Sequence, residues 1–200
     1  MFQVERIVGR NLSSNMFILF ESKTNNCWIV DVGDFNSLKQ RIPLSFNVKG
    51  LFITHGHFYH IADINLFHNT YPNITIYTSE YGMEQLFSDR KNLSLYHEQS
   101  TFFVGKQENI VILSDLDSVK LSNDTHLKVM VTPGHCPSCL TYYTDDYIFT
   151  GDSYIPGVKV VTNLPKGNKI QSQQSVEKIK GLIVNRVICP GHGEMVKEIT

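Results

Sequence analysis

A chain of 200 residues with 42% hydrophobic content is long enough for one domain with a sizeable core, and no Pro- or Ser-rich linker interrupts it. Lys and Arg number 18 against 19 Asp and Glu, a net charge of −1, so no basic stripe points to nucleic acid. The opening Met-Phe-Gln-Val-Glu-Arg lacks a charged-then-apolar leader, and no apolar run approaches the roughly 18 residues of a membrane span. The expectation is a cytoplasmic protein with neither a nucleic-acid nor a membrane partner.

The first half opens as an antiparallel meander. Residues 2 to 8, Met16 to Glu21 and Cys27 to Asp31 have the composition of strands, with Asn25-Asn26 as a turn between the last two. Lys49 to Thr54 is a short, mostly apolar strand that delivers Thr54-His55-Gly56-His57-Phe58-Tyr59-His60. Residues two apart in extended chain point the same way, so His55 and His57 can present two imidazoles to one cation while Gly56 permits a tight turn. His60 faces a neighbouring ion if the chain turns helical there, with Asp63 as N-cap before Ile64, Leu66 and Phe67. Asn73 to Thr78 is a further strand, and Ser79 caps a helix through Phe87. Lys91 to Lys106 is a loop or an excursion over the active face.

The second half alternates strands with functional turns. Ile110 to Leu113, Val119 to Leu121, His126 to Val131, Leu140 to Tyr143 and Tyr147 to Phe149 are the expected strands, the last two joined in a hairpin at Asp145-Asp146. Thr132-Pro133-Gly134-His135 and Phe149-Thr150-Gly151-Asp152-Ser153 fall at strand exits. Ser172 to Val184 carries Val176, Ile179 and Ile183 at helical spacing, and Arg186 to Cys189 is a last strand presenting Pro190-Gly191-His192-Gly193. Imidazoles with one carboxylate suit zinc and also accept iron, manganese or cobalt. The other histidines, His68, His97 and His126, are read as surface or satisfied core residues. Cys136 and Cys139 form Cys-Pro-Ser-Cys beside His135, and neither Cys27 nor Cys189 supplies a second such pair. They are read as free thiols, against a thiol that touches substrate or a disulfide that tunes the His135 loop.

Together these motifs resemble the metallo-β-lactamase fold superfamily, whose pattern is HxHxDH, a distant His, a distant Asp and a last His, over nearly the whole chain. The resemblance implies an α/β (α+β) protein, a four-layer αββα sandwich forming one domain over residues 1–200. It implies a first metal site of His55, His57 and His135, a second of His60 and His192, and Asp152 bridging the two, filled by one or two Zn2+ ions with iron or manganese as alternatives. Tyr59 stands where the family has its aspartate, so the second site loses its usual carboxylate. The phenol either ligates as a phenolate, donates a hydrogen bond to bound water or substrate oxygen, or simply packs. Asp152 and Tyr59 are thus the candidate catalytic residues.

A metal ion brings the pKa of bound water down to about 7, and the resulting hydroxide is the expected nucleophile on a small-molecule ester, thioester, lactone or phosphodiester. Lys159 and Lys166 either meet an anionic group of that substrate or serve only solubility. The chain stops eight residues after His192, without the helical substrate domain of glyoxalase II-like enzymes, so a glutathione thioesterase is not expected. The missing leader argues against a periplasmic β-lactam hydrolase, and a homodimer stays open. Two alternatives remain: an iron-dependent oxidoreductase resembling persulfide dioxygenases, and a non-catalytic binding member of the fold.

Overall fold

The computed structural model describes residues 2–97 and 102–197. Its first sheet has β1 (Phe2–Val8), β2 (Asn15–Glu21), β3 (Asn26–Val30), β4 (Asn47–Phe52), β5 (Thr75–Thr78) and β6 (Ile110–Ile112), in that spatial order. The meander β1-β2-β3 is antiparallel and β3 to β6 run parallel. The second sheet has β7 (Ser118–Lys120), β8 (His126–Val131), β9 (Leu140–Tyr143), β10 (Tyr147–Gly151), β11 (Val187–Pro190) and β12 (Val196–Lys197), again with neighbours in chain order. All of its pairs are antiparallel except β10 with β11.

Strand alternation explains the layers. On β2, Phe17 and Leu19 face inward to meet Val129, Tyr142, Phe149 and Cys189 of the second sheet. Met16 and Ile18 point the other way, onto α1 (Phe35–Lys39), α3 (Ile64–Thr70) and α4 (Glu80–Leu86) through Phe35, Phe67 and Leu86. A strand buried on both faces needs an unbroken apolar run, and Met-Phe-Ile-Leu-Phe is one. The outer face of the second sheet packs Ile148 and Ile188 against Ile179 of α5 (Lys169–Lys180). Helices therefore cover both outer faces of the paired sheets, the expected αββα arrangement. No helix among the described residues is long and apolar enough to cross a membrane.

The sequence expectation did not include α1 or β12, and the structure adds to it at three further places. His60 does not await a helix begun at Asp63: it lies in a separate short helix, α2 (Phe58–Ile61), and Asp63 accepts the Phe35 N–H at 2.9 Å instead of capping α3 with its side chain. Second, α5 starts at an Asn168 cap and ends at Lys180, with Ser172, Ser175 and Ile179 on its buried face and Val176 only half-buried. The cause is close approach: a Cβ on Gly134 would lie 2.2 Å from the Ser172 nitrogen, and Ser175 Oγ donates to Pro133 O at 2.7 Å, so small residues join Ile179 on the buried face. Third, the segment after Lys91 includes a 3-10 turn, Ser94–His97, that borders the active face, while 98–101 lie outside the described residues.

Candidate metal centre

Three turns of the second sheet meet one turn of the first. His55 and His57 follow β4 in extended chain, where a Cβ on Gly56 would lie 2.5 Å from the Gln85 side chain, so only glycine lets this turn lie on α4. The Gly56 N–H donates to Ser138 Oγ at 3.2 Å. The α2 backbone is held by Ser14 Oγ donating to Tyr59 O and by Val32 N–H donating to His60 O, both at 2.8 Å. His135 follows β8, Asp152 directly follows β10 and His192 follows β11. The His192 turn is clamped by Asn15, whose side-chain amide donates to Pro190 O and Gly193 O at 2.8 Å each.

All six sequence-predicted ligands converge. Asp152 Oδ2 lies 3.5 Å from His135 Nε2, 3.5 Å from His192 Nε2 and 3.9 Å from His55 Nε2, and Oδ1 lies 3.5 Å from His60 Nε2. His57 Nδ1 is 2.9 Å from His135 Nε2. The donor atoms of His55, His57 and His135 all lie within 4.8 Å of one another, as do those of His55, His60 and Asp152. His192 stands at the edge, its side chain 26% exposed, while the other five are buried.

Inside this cluster His55 Nε2, His60 Nε2 and Asp152 Oδ1 are buried without a hydrogen-bond partner. Leaving such atoms unpaired costs about 1–3 kcal/mol each. Three at one point, all with lone pairs or charge to offer, fit a divalent cation such as zinc, iron or manganese.

At His55 and His57 the electrostatics agree with that fit. Burial, with the neighbouring His60, holds the His55 imidazole well below its usual range, and burial with His135 takes His57 down to about 3. Both are therefore neutral, as ligation requires. Burial also lowers His60, but Asp31 and Asp152 outweigh it and carry the ring up to about 10. Burial would raise the Asp152 carboxyl, yet the adjacent His192 and His60 rings keep it well below the usual carboxylate range.

Tyr59 sits on the floor of the site, its hydroxyl donating to Asp152 Oδ2 at 3.2 Å and lying 3.4 Å from His57 Nδ1. Burial and the Asp152 charge push this phenol above its ordinary range, so it stays protonated.

Sequence reasoning missed Asp31. Its Oδ2 is 2.8 Å from His60 Nδ1, and the carboxylate also accepts Thr54 N–H at 2.8 Å and Thr54 Oγ1 at 2.7 Å. The only hint in the sequence was an aspartate at the end of a strand, Ile-Val-Asp-Val-Gly. His135 is oriented in the same manner, with Nδ1 2.9 Å from Val161 O, which leaves Nε2 for the centre.

A cleft of about 440 Å³ opens over His135, Asp152, His192 and Tyr59. Leu93 and His97 border it, and the His97 ring stacks on Phe58 with centroids 4.6 Å apart, a role its sequence context did not signal. Lys159 lines the cleft, whereas Lys166 is not among its lining residues. All four cysteines are free, with Cys136 Sγ 3.2 Å from Cys139 Sγ.

Comparison with known proteins fits this geometry. Over 143 residues the chain is 30% identical to the hydroxyacylglutathione hydrolase of Buchnera aphidicola, a match to 71% of this chain and 48% of that protein. Over 191 residues it is 24% identical to the protein of the same name from Pectobacterium atrosepticum, covering 90% of this chain and 62% of that one. The chain thus spans only about half to three fifths of these relatives. The solved B3 metallo-beta-lactamase BLEG-1 has the same fold, with a TM-score of 0.87 at 22% identity over 97% of this chain and 93% of that one. The model of the metallo-beta-lactamase superfamily matches residues 10–192, a span that takes in all five clustered histidines and Asp152. With the sheets, the turns and the sequence match in agreement, the chain belongs to the metallo-beta-lactamase superfamily.

Proposed function

We propose that this chain is a metal-dependent hydrolase of a small ester, thioester, lactone or phosphodiester, with a thioester favoured by the activity for which the two relatives described above are named. The observation that carries the reading is the convergence of five imidazoles and one carboxylate from two sheets, with three buried donor atoms unpaired. His55, His57 and His135 would hold one ion, and His60 and His192 a second, with Asp152 between them. Zinc suits this donor set best. When bound, the metal supplies Lewis acidity that activates water and polarises a carbonyl or phosphoryl oxygen.

The chain's own groups prepare the site for that chemistry. Asp31 and the Val161 carbonyl fix the rings of His60 and His135, so their ligating nitrogens need no reorganisation. Tyr59, protonated and donating to Asp152, would stabilise charge developing on a substrate oxygen by transferring that hydrogen bond to it. The apolar side chains lining the cleft lower the local polarity, which strengthens each of these interactions.

The test is elemental analysis of protein purified without added metal or chelator, followed by an ester, thioester and phosphodiester panel. Zinc or manganese with turnover on the panel is the expected result. Absence of metal even after reconstitution sinks the reading. One observation favours a second reading: His55, His60 and Asp152 make a two-histidine, one-carboxylate cluster of the kind that serves non-haem iron. A single iron per chain with no hydrolysis would put an iron-dependent oxidoreductase first.

A further inference from the structure

The cleft over the metal centre has a composition that goes beyond catalysis. Its walls come from three separate parts of the chain: Leu12 from the turn between β1 and β2, Phe58 and Leu93 from the helical side, and Ile155, Val160 and Leu164 from the strap that follows Asp152. All six are hydrocarbon side chains. Lys159 is the only Lys or Arg among the described residues lining the cleft, and it is exposed, while the only carboxylate there is Asp152 itself.

Exposed hydrocarbon gathers at the same rim. Leu12 is 61% exposed, Val158 58% and Val161 47%, although buried positions elsewhere accommodate such side chains. Isolated exposed apolar residues are ordinary, but a set that rings one concave site is the signature of an apolar ligand. The walls are also fixed in place. Phe58 is held through its N–H to Asn92 O at 2.9 Å and by the stacked His97 ring, and the strap is tied to the centre by the His135 to Val161 contact.

We infer that this cleft selects substrates with an uncharged, apolar acyl group of medium length, and that Phe58, Leu93 and the 155–164 strap set the preference. The chemistry performed on that group rests on the hydrolase reading above; its binding does not. A glutathione conjugate fits poorly, because its two carboxylates and one ammonium exceed the charged partners among the described lining residues, Lys159 and Asp152, and an unpaired buried charge is costly. The lone Lys159 at the rim suits one anionic group on the leaving part of the substrate, outside the apolar section.

The test pairs binding with turnover. Acetate, butanoate, hexanoate and octanoate are titrated by calorimetry into zinc-reconstituted protein, with glutathione as the polar comparator. S-acyl-N-acetylcysteamine thioesters of the same four acids are then assayed. Affinity is expected to rise about four-fold per methylene until the cleft is filled, and Leu164→Asp to weaken octanoate about ten-fold more than acetate. Should that variant fail to fold, Val160→Asp makes the same test from the adjoining wall. A flat series, or glutathione binding more tightly than octanoate, overturns the inference. A rising series without thioester turnover upholds the cleft and counts against hydrolysis, whereas turnover with a flat series does the reverse.

Discussion

Asp31 Oδ2 and His60 Nδ1 meet at 2.8 Å in a fully buried contact that joins the end of β3 to α2. The same carboxylate receives the Thr54 N–H and hydroxyl, so one side chain aligns both His60 and the entry to His55 and His57. Asp31 adopts φ 60°, a left-handed conformation that Asp and Asn tolerate far better than most residues.

Asparagine is therefore the informative replacement, because it keeps the backbone conformation and removes the charge behind His60. Asp31→Asn is expected to lower metal affinity about 10- to 100-fold, measured by competition with a chromophoric chelator. Unchanged affinity would show that Asp31 supports the fold alone. Asp31→Ala should add a loss of stability in urea, since alanine meets both the strained φ and the unpaired Thr54 N–H.

Tyr59 separates metal binding from turnover. Tyr59→Phe removes only the hydroxyl donating to Asp152, so the metal content should be kept while kcat falls about 10- to 100-fold. Tyr59→Asp restores a carboxylate beside His60 and should raise the metal bound per chain. If stoichiometry and hydrolysis both stay at the wild-type level in Tyr59→Asp, the tyrosine does not weaken the second site.

Away from the centre, Asp34 ties acid stability to the start of α1. Its carboxylate accepts from Ser37 N–H and hydroxyl and from Arg10 Nε at 2.7 Å. Burial would raise this carboxyl, but Arg10 and Ser37 together hold it below its usual value. A depressed folded pKa adds stability that is complete above the unfolded value of about 3.9 and is lost as the pH falls through the folded value. Urea unfolding of Asp34→Asn should therefore show a deficit at pH 7 that shrinks below about pH 4. A deficit of constant size across that range would assign the cost to lost capping geometry.

Gly191→Ala tests how tightly the His192 turn is built. A Cβ there would lie 2.1 Å from Asp152 Oδ1 and 2.9 Å from the Gly151 carbonyl carbon. Neither atom can retreat without moving β10 or the carboxylate, so metal content should fall to near zero on elemental analysis, with urea stability reduced by about 1–3 kcal/mol. Full metal content would mean that Asp152 is not fixed where this turn holds it.

The clustered histidines were legible because their spacing encodes geometry. Two residues apart in extended chain, His55 and His57 must share a side, and glycine beside His135, Asp152 and His192 marks turns at strand exits. Both sheets were legible for the same reason, through runs such as Met16 to Phe20. Asp31 was not, since its partner lies 29 residues away and no local period joins them. The apolar spacing rightly marked Ile179 and Ile183 as core, whereas the approach of Gly134 that selects Ser172 and Ser175 is tertiary. His97 was hidden likewise, as its role depends on a loop folding back over Phe58.

The proposed ligands divide between the sheets, His55, His57 and His60 on one and His135, Asp152 and His192 on the other. An ion held by His60 and His192 would consequently be a staple across the interface, joining positions far apart in sequence. An ion that recognises only the assembled halves adds its binding free energy to their cohesion. Catalytic readiness and mechanical integrity are then one property of this chain, so metal starvation would reach the cell as a change in protein lifetime as well as in flux.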